Sequence, residues 1–289
     1  MRDIFIEELI TATKKNKNII LLVNDLGFGV IEKFIKLFPN NYFNAGISEQ
    51  SMMGYAAGLA AAGKHVFVYS IANFPTFRCA EQIRNDIDYH NLPVTIVSVG
   101  SGVAYGNLGY THHGLQDYSL MRSFPNMLIA SPGDTLELRA CVRYLISNPQ
   151  PSYLRLDKNS NFQIHNVIPK IYPGQWLKIS DNKNNNCSFL TTGAVIEHVK
   201  NKFQKNKSNY SIYSLPLWGM KFKKSQYNSL KNYKKVLVVE DHFQDGGFQS
   251  WISESINKKK CKTSIISCSI SSEVVQKVGS KEYLMNYLK

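Results

Sequence analysis

The sequence contains no long hydrophobic run, no paired cysteines and no signal-peptide pattern at its N-terminus. No apolar stretch reaches the roughly 18 residues that a membrane-spanning helix needs. The five cysteines are an odd, scattered set without any Cys-x-x-Cys spacing, which argues against both a zinc site and a disulfide framework. The segment from Met1 to Ile10 is acidic and helix-patterned, unlike a signal peptide. We therefore expect a cytoplasmic protein without a membrane partner.

Negative charge is also scarce, since 21 Asp and Glu residues stand against 34 Lys and Arg residues and leave a net charge of +13. Such an excess is compatible with nucleic acid, anionic substrates or an acidic partner. The lysines concentrate in the second half of the chain beside many asparagines, at 200–207, 221–224 and 258–260. Because no nucleic-acid-binding motif accompanies them, we interpret these lysines as a solvated surface and expect no nucleic-acid partner.

The apolar segments predict an α/β protein of two domains. The chain has 289 residues, of which 44% are hydrophobic, enough for two domains of ordinary size. The run from Ile19 to Val23 is apolar throughout, as is typical of a strand buried on both faces of a parallel sheet. One helix is predicted before this strand and another over 135–146. The second helix is predicted to begin after the turn from Ser131 to Asp134. Further strands are predicted at 65–69, 92–99, 127–130 and 152–158.

A second α/β unit follows a segment rich in polar residues, proline and glycine, which is typical of a linker. We expect a first domain over residues 1–165, a linker over 166–186 and a second domain over 187–289. Each domain is predicted to be a mainly parallel sheet flanked by helices. The strands of the second domain are predicted at 187–190, 210–215, 236–240 and 263–267.

A helix with unusually small side chains is predicted to begin at Glu49. Ser48 precedes it at the position of a capping residue, and a carboxylate in the first turn suits the helix dipole. Glycine within a helix costs roughly 1 kcal/mol relative to alanine, so the small residues predict the close approach of another backbone. Glu49 is therefore a candidate buried acid, and the alternative is an ordinary helix-start residue in solvent. The small residues are Gly54, Ala56, Ala57, Gly58, Ala60, Ala61 and Ala62.

Two loops at the ends of predicted strands carry polar side chains. Asp25 follows the first strand, at the edge where open parallel sheets bind ligands, and its alternative role is an Asx-turn. The glycine-rich segment 100–117 predicts a long, ordered, functional loop. Its Gly-x-Gly-x-x-x-Gly spacing is one residue longer than a dinucleotide-binding fingerprint, and no apolar helix follows it. A metal site formed by His112, His113 and Asp117 would need a further ligand, so we give it less weight.

The segment Gly46-Ile47-Ser48-Glu49-Gln50, with the small-residue helix that follows, resembles the pyrimidine-binding domain of thiamine-diphosphate enzymes of the transketolase group. That group includes transketolase, 1-deoxyxylulose-5-phosphate synthase and the β subunits of 2-oxoacid dehydrogenases. The resemblance implies that Glu49 hydrogen-bonds N1′ of the cofactor's aminopyrimidine. It extends over nearly the whole chain but covers only the second half of a full-length transketolase.

The glycine-rich loop carries a second part of the resemblance. Gly109-Tyr110-Thr111-His112 is similar to the Gly-x-Thr-His of the sugar-transferring members, which implies that His112 lies beside the thiazolium and the substrate oxygen. Four residues before this His, those enzymes have an Asp that contacts a substrate hydroxyl, whereas this chain has Leu108. The difference leaves the donor and acceptor sugars open. Asp25 matches an Asp that lies close to the cofactor in transketolases.

In the same family a Phe stacks on the aminopyrimidine at the junction that follows the strand at 65–69. Counting back from Gln82 places this Phe on Pro75 of the present chain. A one-residue insertion assigns the role to Phe74, and Phe77 is the second candidate. The alternative role for either Phe is packing in the core.

Two basic residues near the end of the first domain match positions at which family members bind a substrate phosphate. They are Arg155, which offers a planar fork of donors, and Lys158, which offers a point charge. The alternative is a structural role at the end of a strand. In the second domain, Glu240-Asp241-His242 resembles a segment of the family's C-terminal domain, and we expect it to be structural.

Members of the family bind the cofactor's diphosphate through Mg²⁺, held by Gly-Asp-Gly in an N-terminal domain, and this sequence has no Gly-Asp-Gly. We therefore predict the C-terminal subunit of a split transketolase. A separately encoded N-terminal subunit would supply the Mg²⁺ ligands and complete an α2β2 heterotetramer. With thiamine diphosphate, the assembly would move a two-carbon ketol unit from a ketose to an aldehyde acceptor. The alternatives are a thiamine-diphosphate enzyme with a 2-oxoacid donor and a non-catalytic stabilising subunit.

Overall fold

A computed structural model describes residues 1–158, 161–181, 187–204, 210–256 and 261–289, without the side chains of 203 and 204. Part of the predicted linker, 182–186, lies outside the described residues. So do five of the lysines assigned to a solvated surface, at 205, 207 and 258–260. Within the described chain, no helix is both long and apolar enough to cross a membrane.

The first domain alternates strands with helices. Its elements up to the third strand are α1 (Arg2–Lys15), β1 (Ile19–Val23), α2 (Glu32–Leu37), β2 (Tyr42–Asn44), α3 (Glu49–Ala61) and β3 (His65–Ile71). The remaining elements are α4 (Phe74–Phe77), α5 (Ala80–Gln82), a π-helical segment (Ile83–Asp88), β4 (Val94–Val99), α6 (Asp117–Met121), β5 (Leu128–Ala130), α7 (Thr135–Ser147) and β6 (Ser152–Leu156). As predicted, α7 is capped by Asp134, whose Oδ1 accepts a hydrogen bond from the backbone N–H of Glu137 at 2.6 Å.

The second domain has shorter elements. They are β7 (Leu177–Ser180), β8 (Cys187–Thr191), α8 (Val195–Gln204), β9 (Ser211–Ser214), β10 (Leu217–Trp218), α9 (Gln226–Leu230), β11 (Lys235–Val239), α10 (Phe248–Glu254), β12 (Ser264–Cys268) and α11 (Lys281–Leu284).

The described strands form two mainly parallel sheets, which confirms the predicted fold class. The first sheet has seven strands in the order β10-β5-β6-β4-β3-β1-β2, and only β10 runs antiparallel to its neighbour. The second has five strands in the order β12-β11-β8-β9-β7, with β7 antiparallel to β9. Helices connect successive parallel strands, as crossover connections require.

Two strands depart from the predicted domain plan. Strand β7 lies inside the segment predicted as a linker, and it forms an edge of the second sheet. Strand β10 follows the second domain's β9 in sequence, yet it pairs with β5 at an edge of the first sheet, with Leu217 opposite Ala130. Strands of only two and four residues are too short to show a sequence periodicity, so neither was predicted.

Aromatic packing joins the two domains around Trp218, a fully buried residue of β10. Its ring centroid lies 5.0 Å from that of Tyr118 in α6. It also lies 5.1 Å from the ring of Phe248 and 5.2 Å from that of Trp251, both in α10. Large aromatic residues bury extensive apolar surface, so this cluster holds the domains in one arrangement.

The carboxyl ends of β1, β3 and β4 lie side by side because these strands are parallel neighbours in the first sheet. Asp25 follows β1, Phe74 follows β3, and the loop containing His112 follows β4. Helix α3 begins after β2, which pairs with β1 on the other side. The fold therefore brings the predicted site residues of four separate segments to one edge of the sheet.

Candidate active site

Glu49 is the first residue of α3, and its carboxylate is buried, with only 6% of the side chain exposed. Ser48 occupies the N-cap position, but its hydroxyl does not cap the helix; it donates to the carbonyl of Ala45 at 2.6 Å. The predicted side-chain cap is therefore wrong, because this Ser turns back towards the preceding loop. The burial of Glu49 excludes the alternative of a solvent-exposed helix-start residue.

Arg78 compensates the buried charge of Glu49, with its Nη1 at 3.0 Å from Oε1 of the carboxylate. Its guanidinium carbon also lies 4.5 Å from the centroid of the Phe74 ring. Phe74 is the first residue of α4 and Arg78 follows four positions later, a spacing that places both on one face of a helical turn. One flat cationic group thus contacts the predicted acid and the predicted stacking ring together.

The position of Phe74 distinguishes it from Phe77. The Phe74 ring is partly buried and contacts both Arg78 and His112, whereas Phe77 is 48% exposed at the end of α4. Pro75 fills the first turn of this short helix, where its missing N–H is harmless. The geometry therefore favours Phe74 as the residue that faces the site.

His112 also contacts Phe74, with the two ring centroids 5.3 Å apart and the planes at 70°. Its Nδ1 is 2.9 Å from the hydroxyl of Thr111, and partial burial lowers the pKa of the imidazole from its ordinary value. The neutral ring therefore predominates at neutral pH. When Thr111 donates to Nδ1, the ring proton is held on Nε2, which is then a hydrogen-bond donor.

The glycine-rich loop is held in shape by backbone contacts that need glycine. Gly100 has φ +99°, and a Cβ atom there would collide with the Tyr105 ring. Gly114 packs against the carbonyl of Gly100, where a Cβ atom would lie at 3.0 Å. Tyr105 in turn lies edge-on to His112, with ring centroids 6.2 Å apart. The loop thus positions His112 through a chain of close contacts.

His113 is completely buried, in contrast to its neighbour. Its backbone carbonyl accepts a hydrogen bond from the side-chain amide of Asn73, and burial lowers the pKa of its ring. Asp117 is bound to Arg155 and Tyr153 instead of to either histidine. Across the described ranges, no group of three His, Cys, Asp or Glu side chains has the arrangement of a metal site.

Asp25 is exposed and adopts φ +47°, a backbone conformation that Asp tolerates better than most residues. Asn44 bridges this loop to the start of the α3 motif. Its Oδ1 accepts from the N–H groups of Asp25 and Gly46 at 2.9 Å each, and its Nδ2 donates to Asp25 at 3.0 Å. Asp25 is therefore a turn residue whose carboxylate still lies at the edge of the site.

Asn24, which was not among the residues predicted from the sequence, lies beside Asp25 at the end of β1. It is buried, and its Nδ2 donates to the carbonyl of Gly46 at 2.9 Å. Its Oδ1 has no hydrogen-bond partner among the described residues. A buried acceptor without a partner is costly, and this one lies at the edge where open parallel sheets bind ligands. Neither Asn24 nor Arg78 carries a local pattern that would have revealed it.

Arg155 is not available to a substrate phosphate, which contradicts the role suggested for it. It lies in β6, its side chain is fully buried, and all five of its N–H donors are taken up by protein acceptors. Nε donates to Asp117 at 2.7 Å, and the terminal nitrogens donate to both the carboxylate and the carbonyl of Asp241. The last two donors reach the Tyr118 hydroxyl and the Gly114 carbonyl. Arg155 instead joins the two domains beneath the loop.

The neighbouring segment Glu240-Asp241-His242 has structural contacts of the same kind. The Glu240 carboxyl accepts the N–H groups of Phe248 and Gln249 and so caps α10, and burial raises its pKa to about 8. Burial lowers the pKa of His242 to about 4, and the ring stacks on Tyr118 with centroids 5.1 Å apart. These contacts agree with the structural role expected for this segment.

Lys158 remains accessible near the loop. It follows β6, is only partly buried, and places its Nζ 4.6 Å from the centroid of the Tyr105 ring. Since Tyr105 also contacts His112, the ammonium group lies one aromatic ring away from the predicted catalytic histidine. Lys158 is thus the better placed of the two predicted phosphate-binding residues.

Residues 1–162 match the family model of the transketolase pyrimidine-binding domain. The chain belongs to the transketolase family. The match ends near the end of the first sheet-bearing domain and includes Glu49, Phe74 and His112, so the family assignment covers the site described above.

Two relatives of this transketolase-family chain are named as a subunit and as a section of a transketolase. It is 32% identical over 260 residues to an apulose-4-phosphate transketolase subunit of Actinobacillus succinogenes, covering 89% of this chain and 83% of the relative. It is 30% identical over 293 residues to a putative transketolase C-terminal section of Methanocaldococcus jannaschii, covering 99% and 91%. These relatives confirm the prediction of the C-terminal subunit of a split transketolase.

A solved structure supports the same conclusion. The chain superimposes on a split gene transketolase, described as an inactive beta4 tetramer, with a TM-score of 0.83 and 25% sequence identity. The comparison covers 99% of this chain and 92% of the other. The similarity therefore includes both domains.

Proposed function

We propose that this subunit and a separately encoded N-terminal subunit together move a two-carbon ketol unit from a ketose to an aldehyde acceptor. The observation that carries this proposal is the arrangement at the carboxyl edge of the first sheet. There Phe74 connects the buried Glu49, through Arg78, with the neutral His112, which contacts the Phe74 ring directly. A carboxylate, an aromatic face and a neutral imidazole suit a flat nitrogen heterocycle and a reacting carbonyl.

The site residues fit the pyrimidine half of thiamine diphosphate. The flat guanidinium of Arg78 already contacts both the Glu49 carboxylate and the Phe74 ring, so a planar group with N–H donors is compatible with both. We assign Glu49 to N1′ of the aminopyrimidine and Phe74 to its ring face. When bound, the cofactor supplies the electron sink that carbon–carbon bond cleavage requires.

His112 is assigned to the substrate. A neutral imidazole with its proton on Nε2 can donate a hydrogen bond to the oxygen on which negative charge develops during transfer. The rigid loop around Tyr105 would keep that donor in place as the reaction proceeds. Leu108, at the position of the family's hydroxyl-binding Asp, is 55% exposed and offers no side-chain hydrogen bond. We therefore expect a substrate whose hydroxyl at that point is absent or differently oriented.

Lys158 is assigned to an anionic group of the sugar. Its ammonium group lies beside Tyr105 and is partly exposed, whereas Arg155 is fully engaged inside the protein. Phosphorylated sugars are thus the substrate class that this site suits best. The relative from Actinobacillus succinogenes, whose name includes a sugar phosphate, is consistent with this class.

The second subunit is expected to dock against α3. Gly54 and Gly58 lie on an exposed face of this helix, and a Cβ atom at either would meet nothing within 4 Å. Among the described residues, no backbone approaches these two glycines closely. Because helical glycine is destabilising without a packing reason, we assign this face to another chain of an α2β2 assembly. The Mg²⁺ and diphosphate contacts would come from that N-terminal subunit.

The donor requirement tests the proposal. The two subunits are purified together with Mg²⁺ and thiamine diphosphate and supplied with an aldehyde acceptor and either ketose phosphates or 2-oxoacids. We expect transfer from a ketose without release of carbon dioxide. Carbon dioxide release from a 2-oxoacid, without any reaction of ketoses, would instead assign the chain to the synthase or dehydrogenase alternative.

A further inference from the structure

Arg78 has no role in the function proposed so far, yet it contacts the two residues assigned to the aminopyrimidine. Its Nη1 lies 3.0 Å from Oε1 of Glu49, and its guanidinium carbon lies 4.5 Å from the ring centroid of Phe74. The Arg78 side chain is 52% exposed, whereas the Glu49 carboxylate is almost completely buried. The arginine therefore reaches inwards from the surface to cover a buried acid.

The contacts of Arg78 have the same chemistry as those assigned to the cofactor. A guanidinium is planar, donates N–H hydrogen bonds to carboxylates and stacks on aromatic faces. An aminopyrimidine held by Glu49 and Phe74 would use the same carboxylate and the same ring. If the heterocycle takes the same carboxylate oxygen and the same face of the ring, the guanidinium has to leave first.

We infer that Arg78 covers the pyrimidine site in the cofactor-free protein and must swing away before thiamine diphosphate binds. This inference rests on the proposed function, because it requires that the aminopyrimidine bind between Glu49 and Phe74. It also explains how a buried carboxylate is tolerated before the cofactor arrives. A buried charge without a partner is unfavourable, and Arg78 supplies a partner from the surface. The exposed half of the side chain gives the guanidinium a path into solvent.

Covering the site reduces the apparent affinity for the cofactor. If only a fraction of molecules has the open site, the apparent Kd equals the intrinsic Kd divided by that fraction. Half-exposed ion pairs and cation–π contacts are individually weak, so we expect the covered form to make up about 80–90% of the molecules. Removing Arg78 is then expected to tighten cofactor binding about five- to tenfold.

The test compares Arg78→Ala with Arg84→Ala in the complex of both subunits. Arg84 is an exposed arginine of the adjacent π-helical segment whose Nη1 donates to Asn85, so its loss changes the net charge equally and leaves the Glu49 and Phe74 contacts intact. The Kd of thiamine diphosphate with Mg²⁺ is measured by calorimetry, and its association rate by stopped-flow fluorescence. We expect Arg78→Ala to lower the Kd five- to tenfold and to raise the association rate, and Arg84→Ala to change neither.

Weaker or unchanged cofactor binding by Arg78→Ala would overturn the inference. Weaker binding would show that Arg78 supports Glu49 in the loaded site, and unchanged binding that the two contacts do not restrict entry. Both results leave the proposed function intact, since the wild-type complex still binds the cofactor. A wild-type complex that does not bind thiamine diphosphate at all would contradict the proposed function, and the inference about Arg78 with it.

Discussion

Phe74 and His112 meet edge to face, with their ring centroids 5.3 Å apart and their planes at 70°. One residue follows β3 and the other lies in the loop after β4, so their contact depends on the parallel pairing of these strands. The contact joins the part of the site assigned to the pyrimidine ring with the part assigned to the substrate. Substitutions of Glu49 should therefore affect cofactor activation, and substitutions of His112 should affect ketol transfer.

Replacing Glu49 by Gln tests whether this residue shares a proton with N1′ of the aminopyrimidine. Gln has the same shape and can still hydrogen-bond N1′, but it has no acidic proton to share with the ring. We expect hydrogen–deuterium exchange at C2 of the bound cofactor to slow by orders of magnitude, while cofactor binding changes far less. Stability should change little, because Gln keeps the shape of the side chain and the half-exposed Arg78 can be hydrated when it loses its partner. Near-normal exchange at C2 in the reconstituted complex would mean that Glu49 is only a structural residue.

Replacing His112 by Ala tests the donor assigned to the substrate oxygen. Loss of one such donor typically slows a reaction by about 10²–10³-fold, so we expect kcat to fall by that factor with little change in cofactor affinity. His113→Ala is the matched control, because this histidine is buried and should chiefly affect stability. If His113→Ala abolished transfer and His112→Ala did not, the match of this loop to Gly-x-Thr-His would be wrong.

The two basic residues near the end of β6 should respond differently to substitution. Arg155→Ala removes the cation that pairs with the buried Asp117 and Asp241, and breaking such a network typically costs about 3–5 kcal/mol in the free energy of unfolding. Lys158→Ala should cost less than about 1 kcal/mol but raise the KM for phosphorylated sugars. Urea denaturation and steady-state kinetics measure the two effects. An unchanged KM in Lys158→Ala would remove this residue from the substrate site.

The isolated subunit should bind thiamine diphosphate weakly or not at all. Its sequence has no Gly-Asp-Gly, so the Mg²⁺ and diphosphate contacts are assigned to the second subunit. Calorimetry on the isolated chain and on the complex, each with Mg²⁺, provides the comparison. Tight binding by the isolated chain would contradict the proposal that the site is divided between two subunits.

Local patterns in the sequence were sufficient to predict the bounds of elements that are uniformly buried or that begin at a capping residue. Strand β1 has the predicted bounds Ile19–Val23, because a continuous run of five apolar residues is typical of a strand that is buried on both faces. The start of α7 was likewise predicted from Asp134, whose side chain accepts the N–H of a residue three positions away. The motif around Glu49 placed the first residue of α3 correctly, although the cap predicted from Ser48 is absent.

The tertiary structure alone decided which side chains meet. Arg155 has the pattern of a phosphate-binding residue, but its partners Asp117 and Asp241 lie 38 and 86 positions away and bury it completely. The choice of Phe74 over Phe77 and the pairing of Arg78 with Glu49 likewise depend on how α4 packs against the start of α3. Sequence patterns report the preferences of neighbouring residues, whereas the burial and pairing of a charged side chain depend on distant segments that come together only in the folded chain.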